Sequence, residues 1–136
     1  MSNKKVILCV DDEKTILKSL KAQLKKHFNK NYTYECAESA LEALEIIEEL
    51  SQDEATITVI VSDWLMPQMK GDEFLAQVHQ KYPSITKVML TGQANEDAIE
   101  RAQREANLYR CLHKPWNEQE LIEVLESSFD IPDQNK

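Results

Sequence analysis

Residues 56–63 read Thr-Ile-Thr-Val-Ile-Val-Ser-Asp, and Trp-Leu-Met-Pro follows at 64–67. A short run of β-branched and apolar residues predicts a strand that is buried on both faces of a parallel sheet. Asp63 stands where this apolar run stops. Because ligands of such sheets bind at the carboxyl ends of the strands, the position of Asp63 predicts a ligand-binding edge. The stretch therefore indicates both the core strand of the fold and a candidate functional carboxylate.

The bulk composition is typical of one globular domain. The 136 residues, 42% hydrophobic and 29% charged, are enough for a single continuous core. The 24 acidic and 16 basic residues give a net charge of −8, which disfavours direct binding to nucleic acid or to an anionic membrane surface. No apolar run reaches the ~18 residues of a membrane span. The first five residues lead into a strand pattern and do not resemble a secretion signal.

The three cysteines, Cys9, Cys36 and Cys111, are an odd number without C-x-x-C spacing. Each lies in an apolar, strand-like segment, which indicates buried free thiols in preference to a metal or redox site. Free thiols are typical of a reducing compartment, so we expect a cytoplasmic protein.

Hydrophobic patterning divides the chain into alternating strand-like and helix-like segments. The predicted strands cover residues 5–10, 32–36, 56–63, 85–90 and 108–113. This alternation predicts an α/β fold, a doubly wound five-stranded parallel sheet with right-handed crossovers and helices on both faces. At this length we favour the strand order 2-1-3-4-5. The pattern indicates one domain over residues 1–129 and a flexible tail over residues 130–136, where no periodicity remains.

Capping residues mark the beginnings of three predicted helices. Ser39 and Glu42 form a capping box before the second helix, and Asn95 and Asn117 precede the fourth and fifth. The second helix is predicted to turn four residues towards the core, Leu41, Leu44, Ile47 and Leu50. The buried side of the fourth helix is mostly alanine, so it buries little apolar area and we expect it to be held loosely.

Polar side chains follow four of the five predicted strands. They are Asp11 and Asp12 after the first strand, Asp63 at the end of the third, Thr91 after the fourth and Lys114 after the fifth. In the order 2-1-3-4-5, the first and third strands flank the switch point, so the three carboxylates should converge there. Crowded carboxylates repel one another unless a cation lies among them. Mg²⁺ suits such a site, because it takes one or two carboxylates together with water and phosphate oxygens.

With a cation present, Asp63 can stay ionised and attack phosphorus, which is a known chemistry of carboxylates. Lys114 would then supply positive charge and Thr91 a hydroxyl donor to the transferring group. Taken singly, each residue also has an ordinary structural interpretation. Paired aspartates often cap a helix, an aspartate after a strand often belongs to a turn, and a lone Thr or Lys is often solvated. The functional hypothesis depends on all of them falling on one edge of the sheet.

Four motifs carry a resemblance to a known family. V-D-D-E at 10–13, S-D-W-L-M-P-x-M-x-G at 62–71, L-T-G at 90–92 and H-K-P-W at 113–116 resemble the receiver domain of two-component response regulators. The likeness covers about residues 4–129 and implies a flavodoxin-like (βα)₅ fold. It also implies that Asp63 is the phosphoacceptor, that Thr91 and Lys114 bind the phosphoryl group, and that Lys114–Pro115 is a cis peptide. The implied ligands of Mg²⁺, or of Mn²⁺ as the alternative ion, are Asp11, Asp12, Asp63 and the backbone carbonyl of Leu65.

One position departs from the family pattern. Receivers usually carry Tyr or Phe three residues before the lysine, and that ring moves as the threonine is drawn towards phosphate; this chain has Cys111 there. Tyr109 is predicted to lie on the same strand face, ~6.6 Å further along. The candidate switch residues are therefore Thr91, Cys111 and Tyr109, together with the loosely held fourth helix.

The resemblance implies a phosphorylation-controlled switch that catalyses no reaction beyond its own phosphorylation and dephosphorylation. The implied donor is a sensor histidine kinase or a phosphotransfer protein, and the implied output is a changed surface on helix 4, strand 5 and helix 5. A downstream output domain or protein would read that surface, and a phosphorylation-dependent homodimer is a further option. The ending Y-R-C-L-H-K-P-W-N at 109–117 also resembles receivers fused to output domains such as cyclic-dinucleotide phosphodiesterases.

Two other classes remain as alternatives. A haloacid-dehalogenase-like phosphatase also uses an aspartate at a strand end but needs a second acidic residue two positions later, where this chain has Leu65. A flavodoxin-like cofactor module needs a phosphate-binding loop after the first strand, and the acidic residues at 11–13 would repel that phosphate.

Overall fold

Parallel strands alternate with helices throughout the computed structural model, which describes residues 4–53, 55–92 and 96–129. Within those residues the strands are β1 Lys5–Val10, β2 Thr33–Ala37, β3 Thr56–Asp63, β4 Thr86–Thr91 and β5 Arg110–His113. The helices are α1 Lys14–Phe28, α2 Ala40–Gln52, α3 Gly71–Lys81, α4 Glu96–Glu105 and α5 Glu118–Phe129, and a short 3₁₀ helix covers Asn29–Asn31. The predicted tail at 130–136 and the predicted cap Asn95 lie outside the described residues. No helix in the described part of the chain is long and apolar enough to cross a membrane.

The sheet has the order β2-β1-β3-β4-β5, and all of its neighbouring strands are parallel. This confirms the predicted α/β fold and strand order. β3 lies at the centre, with Cys9 opposite Val61 on one side and Asp63 opposite Leu90 on the other. Because all the strands run the same way, their carboxyl ends meet at one edge, where the candidate site residues follow them.

Two hydrophobic cores cover the faces of the sheet. The first core packs α2, α3 and α4 against one face, and its fully buried residues include Leu8, Ile60 and Phe74. The second packs α1 and α5 against the other face and includes Leu20 and Leu121. Since alternate residues of a strand point to opposite faces, strands buried on both faces need apolar residues at nearly every position. Val59, Ile60 and Val61, all fully buried, meet this requirement.

The beginnings of α2 and α5 confirm two of the predicted caps. Ser39 Oγ accepts a hydrogen bond from the backbone N–H of Glu42 at 3.0 Å, and Asn117 Oδ1 accepts one from Glu120 at 3.0 Å. The inward face predicted for α2 is wrong at Leu41, whose side chain is 54% exposed. The small residues Ala40 and Ala43 face the core instead. Ala40 lies two turns before Ile47 and shares its inward face, whereas Leu41 is about 100° further round the helix.

A buried lysine lies beneath the carboxyl end of α3. Lys87 of β4 is 1% exposed, and its Nζ donates to His79 Nδ1 at 2.9 Å and to the carbonyl of Pro83 at 3.4 Å. Burial lowers the pKa of Lys87 to about 8. Burial, together with the charge of Lys87, lowers the pKa of His79. Burial of the charged Lys87 side chain therefore destabilises the folded protein, and deprotonation of Lys87 removes this destabilisation.

This cost predicts a pH-dependent gain in stability. Between pH about 8 and 10.5 the unfolded chain binds a proton at Lys87 that the folded chain has lost, so the free energy of unfolding should rise with pH across that window. The rise attributable to Lys87 should reach about 3 kcal/mol at most. Lys87→Met should lack it, and urea unfolding of both proteins from neutral pH to about pH 10 measures the difference. The exposed Lys81→Met is the matched control, and parallel curves for wild type and Lys87→Met would contradict the prediction.

Candidate functional site

Three carboxylates meet at the carboxyl edge of the sheet. Asp11 follows β1 and is fully buried, Asp63 ends β3 and is 5% exposed, and Asp12 is exposed. One oxygen from each lies within 4.8 Å of the others. The predicted convergence at the switch point between β1 and β3 is therefore present in the structure.

Local backbone contacts hold Asp11 in place. Its N–H donates to the carbonyl of Ala37 at 3.1 Å, which ties the end of β1 to the end of β2. Its Oδ1 accepts a hydrogen bond from the N–H of Glu13 at 2.9 Å, just before α1 begins. One carboxylate oxygen of Asp11 thus accepts the backbone hydrogen bond before α1, and the other faces the carboxylate cluster.

Lys114 reaches the same cluster from the end of β5. Its Nζ lies 2.8 Å from Asp11 Oδ2 and 3.0 Å from Asp63 Oδ1, and its side chain is 16% exposed. Its backbone N–H donates to the carbonyl of Thr91 at 2.8 Å, which fastens β5 to β4 at this edge. The peptide bond to Pro115 is cis, as the family resemblance implies.

The pKa values of Asp63 and Lys114 are both shifted, and the cause of each shift is identifiable. Burial raises the pKa of Asp63, and the charges of Asp11 and Asp12 add to the rise, while the hydrogen bond from Lys114 opposes it. For Lys114, burial works against the charged form, but the hydrogen bonds to Asp11 and Asp63 outweigh it and raise its pKa. Asp63 is thus a crowded carboxylate beside a cation that stays protonated at neutral pH.

The cluster opens into a shallow cavity of about 400 Å³. Its lining consists of Asp12, Glu13, Asp63, Trp64, Leu65, Gly92 and Lys114. Thr91 ends β4 beside the Asp63 strand and is 2% exposed. Leu65 lines the cavity and is 54% exposed, which places it at the mouth of the site. The structure therefore brings the predicted nucleophile, metal-ligand and phosphoryl-binding residues to this edge of the sheet.

The loop between β3 and α3 is fastened closely to the end of β3. The N–H of Trp64 donates to the carbonyl of Leu90 at 2.8 Å, and the N–H of Gly71 donates to the carbonyl of Trp64 at 2.7 Å. A Cβ at Gly71 would collide with the carbonyl oxygen of Asp63 and lie 2.8 Å from Trp64 Cα. Gly71 is therefore required by the close approach of α3 to the backbone of Asp63.

Sequence reasoning missed the role of Asp72 in this loop. Its carboxylate is 2% exposed and accepts a hydrogen bond from Trp64 Nε1 at 3.0 Å. An acidic residue in the first turn of a helix is usually explained by the helix dipole. The only available signal was the presence of an indole donor near a helix-starting aspartate, and it does not say that the two meet.

The positions of the predicted switch residues differ from expectation. Cys111 is half-buried and packs against the core on the α2–α4 face. Tyr109 packs against the core on the α1–α5 face, and its hydroxyl lies 2.6 Å from Ser127 Oγ. The prediction that both share one strand face is wrong, because β5 begins at Arg110 and the strand alternation does not extend back to Tyr109.

The donor set fits a hard divalent cation. Three carboxylates and one ammonium leave a net negative charge in a partly buried site, and carboxylate oxygens are ligands that Mg²⁺ and Mn²⁺ accept. The shallow cavity leaves room for further oxygen ligands. Chemically, the arrangement offers a carboxylate that can act as a nucleophile and a fixed ammonium, with Thr91 at the adjacent end of β4, and phosphoryl transfer uses groups of these types.

Comparison with known proteins gives a consistent result. The family model of the response regulator receiver domain matches residues 7–126. The hydrogenase transcriptional regulatory protein HoxA of Cupriavidus necator is 30% identical over 131 residues, which cover 96% of this chain and 25% of HoxA. Sensor kinase CckA of Brucella abortus is 29% identical over 133 residues, or 98% of this chain and 13% of CckA. The chain thus spans a quarter or less of the length of these curated relatives.

A solved structure agrees with the fold as well. The signal receiver domain of an HD domain-containing protein from Pseudomonas fluorescens Pf-5 is 34% identical to this chain and superposes with a TM-score of 0.83. The match covers 94% of this chain and 96% of that one.

Proposed function

This chain belongs to the response regulator receiver domain family of two-component signalling, and on that premise we propose that Asp63 is its phosphoacceptor. The observation that carries the proposal is the pair of contacts from Lys114 Nζ to Asp63 and Asp11 within a cluster of three carboxylates. Asp63 is the member of that cluster that both lines the open cavity and contacts the ammonium. The receiver is proposed to extend over residues 1–129, with 130–136 as a tail.

The proposed step is a transfer from a phosphohistidine to Asp63. A carboxylate oxygen of Asp63 forms a bond to phosphorus, the bond from phosphorus to the histidine nitrogen breaks, and the released imidazole takes up a proton. Lys114 holds positive charge beside the oxygens of the transferring group, and the Thr91 hydroxyl donates to one of them. Lys114 Nζ can exchange its contact with Asp63 for one with the phosphoryl oxygens at little cost in free energy, because it keeps Asp11 as a partner.

Asp11, Asp12, Asp63 and the carbonyl of Leu65 are the groups proposed to hold Mg²⁺ or Mn²⁺. A bound divalent ion supplies the positive charge that lets crowded carboxylates and phosphoryl oxygens share one site. The three aspartates fit this role, since one oxygen from each already lies within 4.8 Å of the others.

The partners proposed are a sensor histidine kinase or phosphotransfer protein and a downstream output domain or protein. The surface of α4, β5 and α5 is proposed to carry the signal, with homodimerisation on phosphorylation as one form of output.

Free thiols at Cys9, Cys36 and Cys111 support a cytoplasmic location. A role as one module of a longer regulator is favoured by a specific observation: the curated relatives extend well beyond the matched region. An aspartate-nucleophile phosphatase is disfavoured, because Leu65 stands where that class needs a second acid.

The direct test is phosphorylation by a small donor. Incubation with acetyl phosphate and Mg²⁺ should add the mass of one phosphoryl group, measured on the intact protein. The adduct should disappear with hydroxylamine, which cleaves acyl phosphates, and peptide mapping should place it at Asp63. Labelling that resists hydroxylamine, or that persists undiminished when Mg²⁺ is chelated, would contradict the proposal.

Addition of millimolar Mg²⁺ should change the tryptophan fluorescence. Trp64 is 6% exposed and adjoins Asp63, so a change of charge at the site alters the field at its indole. Trp116 lies on the α1 side, where its Nε1 donates to Gln23 Oε1 at 2.8 Å. The response should survive in Trp116→Phe and vanish in Trp64→Phe. A wild-type signal that stays flat through millimolar Mg²⁺ would count against the metal site.

A further inference from the structure

A buried carboxylate connects the loop after the phosphoacceptor strand to α4. Asp72 Oδ1 accepts a hydrogen bond from Trp64 Nε1 at 3.0 Å, and Asp72 Oδ2 accepts one from Arg101 Nη1 at 3.3 Å. The Asp72 side chain is 2% exposed, whereas that of Arg101 is 56% exposed. One carboxylate therefore bridges an indole beside Asp63 and a cation on the surface of α4.

The burial of Asp72 makes this bridge sensitive to its partners. A buried charge is costly when its partner is removed, because the carboxylate is then left without compensation. Arg101 lies on a helix whose buried face is made of alanines, Ala98 and Ala102. Small side chains bury little area per turn, so the ion pair adds a polar contact to the packing of α4 against the beginning of α3.

The other end of the bridge is rigid. Trp64 is buried in the α2–α4 core, and its backbone accepts from Gly71 and donates to Leu90. It stands between Asp63 and Leu65, both of which line the cavity. A change in the position of its indole is therefore transmitted to a backbone that carries the phosphoacceptor on one side and a proposed metal ligand on the other.

We propose that Asp72 is a positioning residue that couples the placement of α4 to the metal and phosphoryl site through the Trp64–Asp72–Arg101 bridge. The proposal rests on the function proposed above. Because coupling between two sites is reciprocal, phosphorylation at Asp63 shifts α4, and loosening α4 at Arg101 weakens binding at the site. The bridge lies on the same face of the sheet as Cys111, so it provides a route to α4 that does not need an aromatic side chain at that position.

The test measures Mg²⁺ affinity by calorimetry, which does not depend on Trp64 emission. Arg101→Gln should weaken Mg²⁺ binding about fivefold and slow labelling by acetyl phosphate to a similar extent. Arg104→Gln is the matched control on the same helix, since Arg104 pairs with Glu100 and Glu105 on the exposed side. The control should leave both measurements unchanged.

Asp72→Asn supplies the second arm, because an amide oxygen can still accept from Trp64 while the charge for Arg101 is lost. In that background Arg101→Gln should have no further effect on Mg²⁺ affinity, as expected for residues that act as one unit. If Asp72→Asn does not fold, the comparison of Arg101→Gln with Arg104→Gln remains decisive.

The outcomes separate the two proposals. A wild-type protein that neither binds Mg²⁺ nor accepts phosphate overturns the proposed function and this inference with it. A wild type that does both, with equal Mg²⁺ affinity in Arg101→Gln and Arg104→Gln, overturns the bridge alone. Lower thermal stability of Arg101→Gln at unchanged Mg²⁺ affinity also overturns it, because it shows that the ion pair is merely structural.

Discussion

Replacing Asp63 with Asn should lower labelling by acetyl phosphate at least about a hundredfold, because a neutral amide cannot serve as the nucleophile that forms the acyl phosphate. Asp11 and Asp12 should not take over this role. Asp11 is fully buried and uses one oxygen for the N–H of Glu13 and the other for Lys114. Asp12 is exposed, and the Lys114 ammonium that would hold a phosphoryl group pairs with Asp11 and Asp63. Intact-protein mass measured over time after addition of the donor gives the rate.

The fold should tolerate this substitution. Burial and neighbouring charges raise the pKa of Asp63, which means that the folded state disfavours its ionised form. A neutral group of the same shape removes this repulsion, so the urea midpoint at neutral pH should not fall. Asp53→Asn, on the exposed end of α2, is the matched control and should label like the wild type. Undiminished labelling of Asp63→Asn would assign the nucleophile to another residue.

The sequence was sufficient to predict the site residues whose positions are determined by the ends of the strands. Once the alternation of strands and helices is recognised, Asp11, Asp63 and Lys114 must lie at one edge, because parallel strands place their carboxyl ends together. The side chains then need to reach only a few ångströms to meet. The alternation left two common strand orders for such a sheet, and the length of the chain favoured 2-1-3-4-5.

The features that could not be predicted depend on the path of the irregular backbone between the strands and helices. The contact of Trp64 with Asp72 requires the β3–α3 loop to fold back on itself, and no periodicity describes that path. Tyr109 was placed on the wrong face because two-residue alternation was continued past the first residue of β5. Leu41 was placed inward because the inward residues were grouped at a spacing of three, whereas the buried face of α2 runs through Ala40, Ala43 and Ile47.

The close approach at Gly71 leads to the second large effect. Gly71→Ala should destabilise the protein by about 3 kcal/mol and weaken Mg²⁺ binding at the same time. The added methyl group collides with the carbonyl oxygen of Asp63 and lies 2.8 Å from Trp64 Cα. Both neighbours are backbone atoms, which cannot rotate away as a flexible side chain would. Alanine is favoured over glycine within a helix by about 1 kcal/mol, but this gain is smaller than the cost of overpacking. Urea unfolding and calorimetric titration with Mg²⁺ measure the two effects.

Gly92→Ala provides the comparison that identifies the cause. A Cβ at Gly92 meets no atom of the described residues within 4 Å, so this variant should retain the wild-type urea midpoint. The two substitutions remove the same backbone freedom from the unfolded chain, and neither glycine has a positive φ in the structure. A difference between them therefore reports the contact of α3 with the end of β3. Equal stability of Gly71→Ala and wild type would show that α3 can move away from Asp63 at little cost. The backbone of the phosphoacceptor would then be held by the sheet alone, and the hydrogen bond from Gly71 to Trp64 would not be needed to position it.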